Sequence, residues 1–173
     1  MGRVFLIGYM CSGKTTLGRL LAGLTGAEFI DLDEYIEKKA GRSVNEIFRD
    51  LGEDGFRGME RDALHDIASS DNCIIATGGG APCFYDNLDF MNSCGHCVYL
   101  KSSPEALFTR LSRYKATRPL LRDKDEAGIR GFISDTLPKR EVYYNRASVV
   151  FEVDPLENKK EVMDAVIRLR ELL

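Results

Sequence analysis

The chain has 173 residues, 44% of them hydrophobic and 29% charged, with a formal charge of −3. That length buries the core of one ordinary domain, and the slightly acidic balance excludes a globally basic surface drawn to nucleic acid or anionic membrane. No apolar run approaches the roughly 18–20 residues that span a bilayer, so small molecules are the expected partners, and any anion must be met by a local basic cluster.

Val4–Ile7 reads as a strand buried on both faces, because it lacks polar alternation. No leader features precede it, which makes a cytoplasmic protein the economical expectation. Gly8-Tyr9-Met10-Cys11-Ser12-Gly13-Lys14-Thr15 follows and matches G-x-x-x-x-G-K-[ST] at every fixed position. Leu17, Leu20, Leu21 and Leu24 then repeat at helical spacing over Thr15–Leu24. The motif thus lies between a strand and a helix, the context that gives it meaning. Its glycines let backbone N–H groups face an anion, and the helix adds the positive end of its dipole. Lys14 is expected to reach the β- and γ-phosphates of a nucleotide, and the Thr15 hydroxyl to serve Mg2+.

A second strand spans Glu28–Leu32, with a helix from about Asp33 to Lys39. Strand alternation puts Asp31 and Asp33 on one side, near the sheet edge where α/β ligands bind. One carboxylate beside a metal and one beside an acceptor hydroxyl would suit phosphoryl transfer. Asp33 reads equally well as the N-cap of the helix it begins. Ser43 with Glu46 forms a capping box for another helix, and a further helix covers Phe56–Ala68. On it Arg57 and Glu60 stand at i,i+3, either as a surface ion pair or as a guanidinium held ready for a carboxylate.

Cys73–Ala76 is a third strand, ending at Gly78-Gly79-Gly80. Three glycines in a row make sense where a ligand approaches the main chain closely; a flexible turn is the bland alternative. Helix Asn87–Met91, strand Cys97–Leu100 and helix Pro104–Leu111 follow. Cys94-Gly95-His96-Cys97 spells a dithiol motif but precedes a strand instead of a helix, which argues against redox chemistry. The segment from Ser112 to about Asp125 is basic and aperiodic, carrying Arg113, Lys115, Arg118, Arg122 and Lys124. With Arg118-Pro119-Leu120-Leu121 inside it, it suits a lid that closes an Arg over a transferring group. A helix to Asn145 carrying Arg140, strand Ser148–Val153 and a terminal helix to Leu172 complete an alternating α/β pattern read as one domain, 1–173.

Taken in order, Gly8–Thr16, Asp31-Leu32-Asp33, Phe56-Arg57 with Glu60, Gly78-Gly79-Gly80, Arg118–Leu121, and Arg140 with Tyr143 resemble the shikimate kinase family over nearly the whole chain. The resemblance implies a three-layer P-loop kinase fold: a central parallel five-stranded sheet flanked by helices, with a mobile lid at about 112–125 and an acceptor region at about 31–62. It implies transfer of the γ-phosphate of Mg-ATP to shikimate, by a cytoplasmic monomer. Lys14, Asp33 and Arg118 would be catalytic. Cys11, Ser12, Gly13, Lys14, Thr15, Thr16, Arg110, Arg118, Asp154 and Pro155 would bind nucleotide, with Arg113 able to replace Arg110. Asp33, Arg57, Glu60, Gly78, Gly79, Gly80 and Arg140 would bind shikimate, and Thr15 with Asp31 (through water) would serve Mg2+. Cys11 departs from the family, which more often has glycine there; nucleotide binding is expected to survive, since the variable loop positions need only suitable backbone angles. The rival readings are a kinase of gluconate or of a nucleoside monophosphate, and a nucleotide-binding regulator.

Overall fold

In the computed structural model, which describes residues 2–114, 121 and 123–173, the chain forms five parallel strands. They are β1 (Val4–Ile7), β2 (Glu28–Asp31), β3 (Cys73–Ala76), β4 (His96–Lys101) and β5 (Val149–Glu152), in the order β2-β3-β1-β4-β5. Val4 pairs with Ile74 on one side and His96 on the other, so β1 is the middle strand. Parallel neighbours need long crossovers, and helices supply them: α1 (Lys14–Thr25), α2 (Leu32–Ala40), α3 (Val44–Ile67), α4 (Asn87–Cys94), α5 (Pro104–Tyr114), α6 (Glu126–Tyr144) and α7 (Lys159–Glu171).

Alternation along the strands divides the core into two layers. Phe5, Ile7, Ile75, Cys97 and Tyr99 face one way and pack under α2 to α6, through residues such as Ile36, Leu64, Met91, Leu107 and Ile133. Val4, Leu6, Ile74, Val98 and Leu100 face the other and meet Leu17 and Leu21 of α1 with Val166 and Leu169 of α7. The three-layer α/β expectation therefore holds.

Several local expectations need correction. β2 ends at Asp31, whose side chain caps α2 by accepting from the Asp33 and Glu34 N–H groups. Asp33 is thus inside the helix and is not its cap, and strand alternation has no part in placing it. The two helices read between Ser43 and Ala68 run together as α3, interrupted at Gly52, where φ is 70° and ψ −176°; the Ser43–Glu46 capping box is formed. Helix α5 continues to Tyr114, taking in Ser112 and Arg113. A short 3-10 turn, Ala81–Cys83, follows the glycine run. Cys97 lies within β4, fully buried, and burial pushes its thiol up to about 12; a thiol in that state is a poor nucleophile. Lys115, Arg118, Pro119, Leu120 and Arg122, and with them most of the expected lid, lie outside the described residues. Among the described residues no helix is long and apolar enough to cross a membrane.

Candidate active site

The loop between β1 and α1 opens at the carboxyl end of the middle strand, where open α/β sheets bind ligands. Gly8 has φ 142°, and a side chain there would put its Cβ 2.8 Å from the Leu100 carbonyl oxygen, so only glycine lets the loop leave β1 in this direction. Lys14 Nζ donates to the carbonyls of Gly8 (2.9 Å) and Tyr9 (2.8 Å), folding its ammonium back over the loop. The Ser12 hydroxyl is buried without a protein partner among the described residues. Cys11 has φ 60°. The loop angle at this position is therefore left-handed, which a non-glycine residue adopts only with strain. The backbone angle that suits this loop position is thus one that glycine adopts freely and cysteine holds at a cost.

A cleft of about 410 Å³ runs from this loop. Cys11, Gly13, Lys14, Thr15 and Thr16 line one part of it, Asp31, Asp33, Gly78 and Gly79 another, and Arg110 with Arg113 a third. The Thr15 hydroxyl donates to Asp31 Oδ2 at 3.1 Å, while Asp31 Oδ1 caps α2. One carboxylate therefore fixes the helix and reaches the loop at once. A single hydroxyl and a single carboxylate suit Mg2+, which keeps several waters and takes the rest of its ligands from phosphate oxygens. Among the described residues no cluster of three or more His, Cys, Asp and Glu side chains could cage a metal.

Arg110 is buried and reaches three elements. Its Nη2 donates to Asp154 Oδ1 at 2.6 Å, and its Nη1 to Ser102 Oγ at 3.1 Å and the Cys11 carbonyl at 3.5 Å. Asp154 Oδ2 in turn accepts from the Ser103 N–H at 2.6 Å. Arg113 is half exposed, 3.6 Å from Glu157. Both arginines line the cleft, so the structure brings together the two alternatives of the sequence. Asp154 precedes Pro155 through a cis bond; the apolar wall beside them is Leu156 and Val162, which sequence reading missed.

Behind the glycine run that lines the cleft, a second cluster is built around Arg57. It is 8% exposed and Glu60 is fully buried, which removes the surface ion-pair reading. Arg57 Nη1 donates to Glu60 Oε2 at 2.7 Å and Nη2 to Glu53 Oε1 at 3.2 Å. The guanidinium lies 4.1 Å from the centre of the Phe84 ring, a cation–π contact. Neither Glu53 nor Phe84 carries a sequence signal, because both depend on how α3 folds back over the glycine turn. Burial raises the Glu60 carboxyl to about 7, against the pull of Arg57. Burial, then the neighbouring Asp31 charge, also raises Asp33 above the ordinary carboxylate range.

The glycine run joins these groups. A Cβ on Gly78 would stand 2.9 Å from Glu60 Oε1 and 3.2 Å from Asp33 Oδ1, and one on Gly79 would stand 3.3 Å from Arg140 Nη1. One on Gly80 would stand 2.4 Å from Arg57 Nη2. Two carboxylates and two guanidiniums thus crowd one stretch of bare backbone. Arg140 lies over the Tyr9 ring at 5.4 Å, which ties α6 to the phosphate loop. Tyr143 is partly exposed, whereas Tyr144 is buried and donates to the Gly79 carbonyl. The tyrosine that follows Arg140 into the site is therefore Tyr144. Arg118 lies outside the described residues.

The family model described as shikimate kinase matches residues 10–170. A shikimate kinase of Bacteroides thetaiotaomicron is 47% identical over 173 residues, covering 100% of this chain and 99% of that protein. One of Parabacteroides distasonis is 46% identical, with both chains covered in full. Among solved structures, the shikimate kinase from Bacteroides thetaiotaomicron superposes with a TM-score of 0.95 at 46% identity, over 98% of this chain and 97% of that one. The Acinetobacter baumannii shikimate kinase in complex with shikimate superposes with a TM-score of 0.86 at 35% identity, over 99% and 92%. By family model, by sequence over its whole length and by fold, this chain belongs to the shikimate kinase family.

Proposed function

We propose that this chain transfers the γ-phosphate of Mg-ATP to a hydroxyl of shikimate, giving shikimate 3-phosphate in the pathway to chorismate and the aromatic amino acids. The observation that carries the reading is that two separate cationic groups serve the cleft, one in its lining and one behind the glycine run that lines it. Lys14 belongs to the phosphate loop, whereas the buried Arg57 and the neighbouring Arg140 stand beyond the glycine run. A substrate with one carboxylate and several hydroxyls needs that second group, because a bidentate guanidinium is the natural partner of a carboxylate.

In this reading Ser12, Gly13, Lys14 and Thr16 bind the phosphates, with Cys11 shaping the loop, and Arg110, Arg113, Asp154 and Pro155 flank the adenine. Thr15 and Asp31 would hold Mg2+, which when bound neutralises charge on the phosphate oxygens. Arg57 and Arg140 bind the acceptor's carboxylate, Glu60 holds Arg57, and Gly79 and Gly80 offer backbone donors. Asp33 orients the attacking hydroxyl and accepts its proton. Its raised affinity for a proton suits that task, since a base works best when its pKa approaches the working pH. Arg118 would complete the site by bridging to the phosphates. The same proposal has the chain act in the cytoplasm as a monomer.

The test is ADP release from Mg-ATP with shikimate, gluconate and a nucleoside monophosphate as parallel acceptors. Turnover of roughly 1–1000 per second with shikimate alone is the expected result. Turnover only with gluconate would replace the acceptor, and nucleotide binding with no turnover would make the chain a regulator.

A further inference from the structure

Tyr144, the last residue of α6, is fully buried, and its ring centre lies 5.0 Å from that of Tyr99. Tyr99 is itself fixed by donating to Glu141 Oε1 at 2.8 Å. Burial pushes the Tyr144 phenol well above its ordinary value of 10, so the group stays protonated and remains a donor. What it donates to is the carbonyl of Gly79. That residue sits at the junction of the site: a Cβ there would lie 3.3 Å from Arg140 Nη1, 3.4 Å from the Gly8 carbonyl oxygen and 3.5 Å from the Met10 nitrogen.

A trans peptide is planar, with its C=O and N–H pointing in opposite directions. Tyr144 draws the Gly79 carbonyl toward the buried end of α6, and the planar peptide then turns the N–H of Gly80 the opposite way, next to the two glycines that line the cleft. Glycines lack the side-chain sterics that would otherwise settle such a plane; here one hydrogen bond settles it. Arg140 precedes Tyr144 by one helical turn and reaches the same glycine, its Nη1 3.3 Å from where a Cβ on Gly79 would stand, so the same end of α6 presents a cation and orients a backbone donor.

We propose that Tyr144 is a positioning residue for the acceptor: by holding the Gly79 carbonyl it aims the Gly79–Gly80 peptide, and it keeps Arg140 in register with that donor. The proposal rests on the acceptor reading given above. Phe at this position would keep the ring packing and lose only the hydroxyl. In Tyr144→Phe the KM for shikimate should therefore rise about 5- to 10-fold, the worth of one buried hydrogen bond. The KM for ATP should stay near that of the parent, the thermal midpoint should fall by a few degrees because the Gly79 carbonyl is left without its donor, and Tyr143→Phe, at the partly exposed neighbour, should change none of the three.

An unchanged KM for shikimate in Tyr144→Phe would overturn the assignment. So would an equal loss for both substrates, which would make Tyr144 a packing residue only. A measurement on the native chain stands apart from the variant: titration with shikimate should move the Gly80 amide in a 15N-resolved spectrum, and an unmoved Gly80 amide would also overturn it. A native chain with no shikimate turnover would remove the acceptor reading itself. Normal turnover with an unaffected Tyr144→Phe would remove only the role given to Tyr144.

Discussion

The Arg57 guanidinium fills the space in which a side chain on Gly80 would stand, with Nη2 only 2.4 Å from the position of a Cβ there. The arginine is also pinned by Glu60 and Glu53 and covered by Phe84, so it cannot swing aside freely. Gly80→Ala should displace it at a cost of about 1–3 kcal/mol, the usual range for overpacking. The KM for shikimate should rise roughly 5- to 150-fold while nucleotide affinity stays close to the parent's. Steady-state kinetics with each substrate varied in turn checks this, and an unchanged KM for the acid would separate Arg57 from carboxylate binding.

Asp33→Asn keeps the shape of the side chain and removes its basicity. Turnover should fall about 10²- to 10⁴-fold, the usual contribution of a positioned base, with ATP binding by calorimetry largely kept. Ordinary turnover in this variant would leave Asp33 without a chemical role.

Glu60 gives the fold a pH dependence whose sign can be worked out. Its carboxyl rises from 4.5 to about 7 on folding, so between those values the folded chain binds more protons than the unfolded one. The contribution is therefore fully present below about pH 4.5, is lost as pH rises through 7, and amounts to about 3 kcal/mol. Glu60→Gln cannot titrate. Urea unfolding at pH 5 and pH 8 should show the variant gaining on the parent by that order between the two conditions. A constant difference would mean that Glu60 is already charged throughout in the folded chain.

Cys11 holds a φ of 60°, a region that costs a side-chain-bearing residue about 1–2 kcal/mol. Glycine would relieve this and give back about 0.5–1 kcal/mol through the entropy of the unfolded chain. Cys11→Gly should therefore raise the melting midpoint by about 2 °C, and Cys11→Val, branched at Cβ, should lower it. A fall in the glycine variant, read by scanning calorimetry, would show that packing of the thiol outweighs the backbone.

What could be read from the sequence was whatever is local. The phosphate loop is contiguous, its strand and helix carry their own periodicity, and the Ser43–Glu46 cap is a matter of four residues. The same locality misled at β2, where alternation was extended through Asp33 although Asp31 had already turned the chain into a helix. The burial of Arg57 could not be seen, because an i,i+3 ion pair looks alike on a surface and in a core. Only the return of Gly80 and Phe84 across α3 decides between them. Tyr143 and Tyr144 differ by one step of the helix, about 100° of rotation, and no weak periodicity at a helix end distinguishes them.

The position of each strand in the sheet has a consequence for how the protein comes apart. The phosphate loop leaves β1, which has a hydrogen-bonded neighbour on both sides. Asp31 closes β2 and Asp33 comes just after it, and β2 is an outer strand paired only with β3. Outer strands open in small local fluctuations, whereas a middle strand is released only with the whole sheet. In native-state hydrogen exchange the amides of Leu6 and Ile7 should therefore outlast those of β2 by orders of magnitude. Brief excursions would loosen Asp31 and Asp33 while the phosphate loop stays in place, so two parts of one cleft rest on unequal foundations.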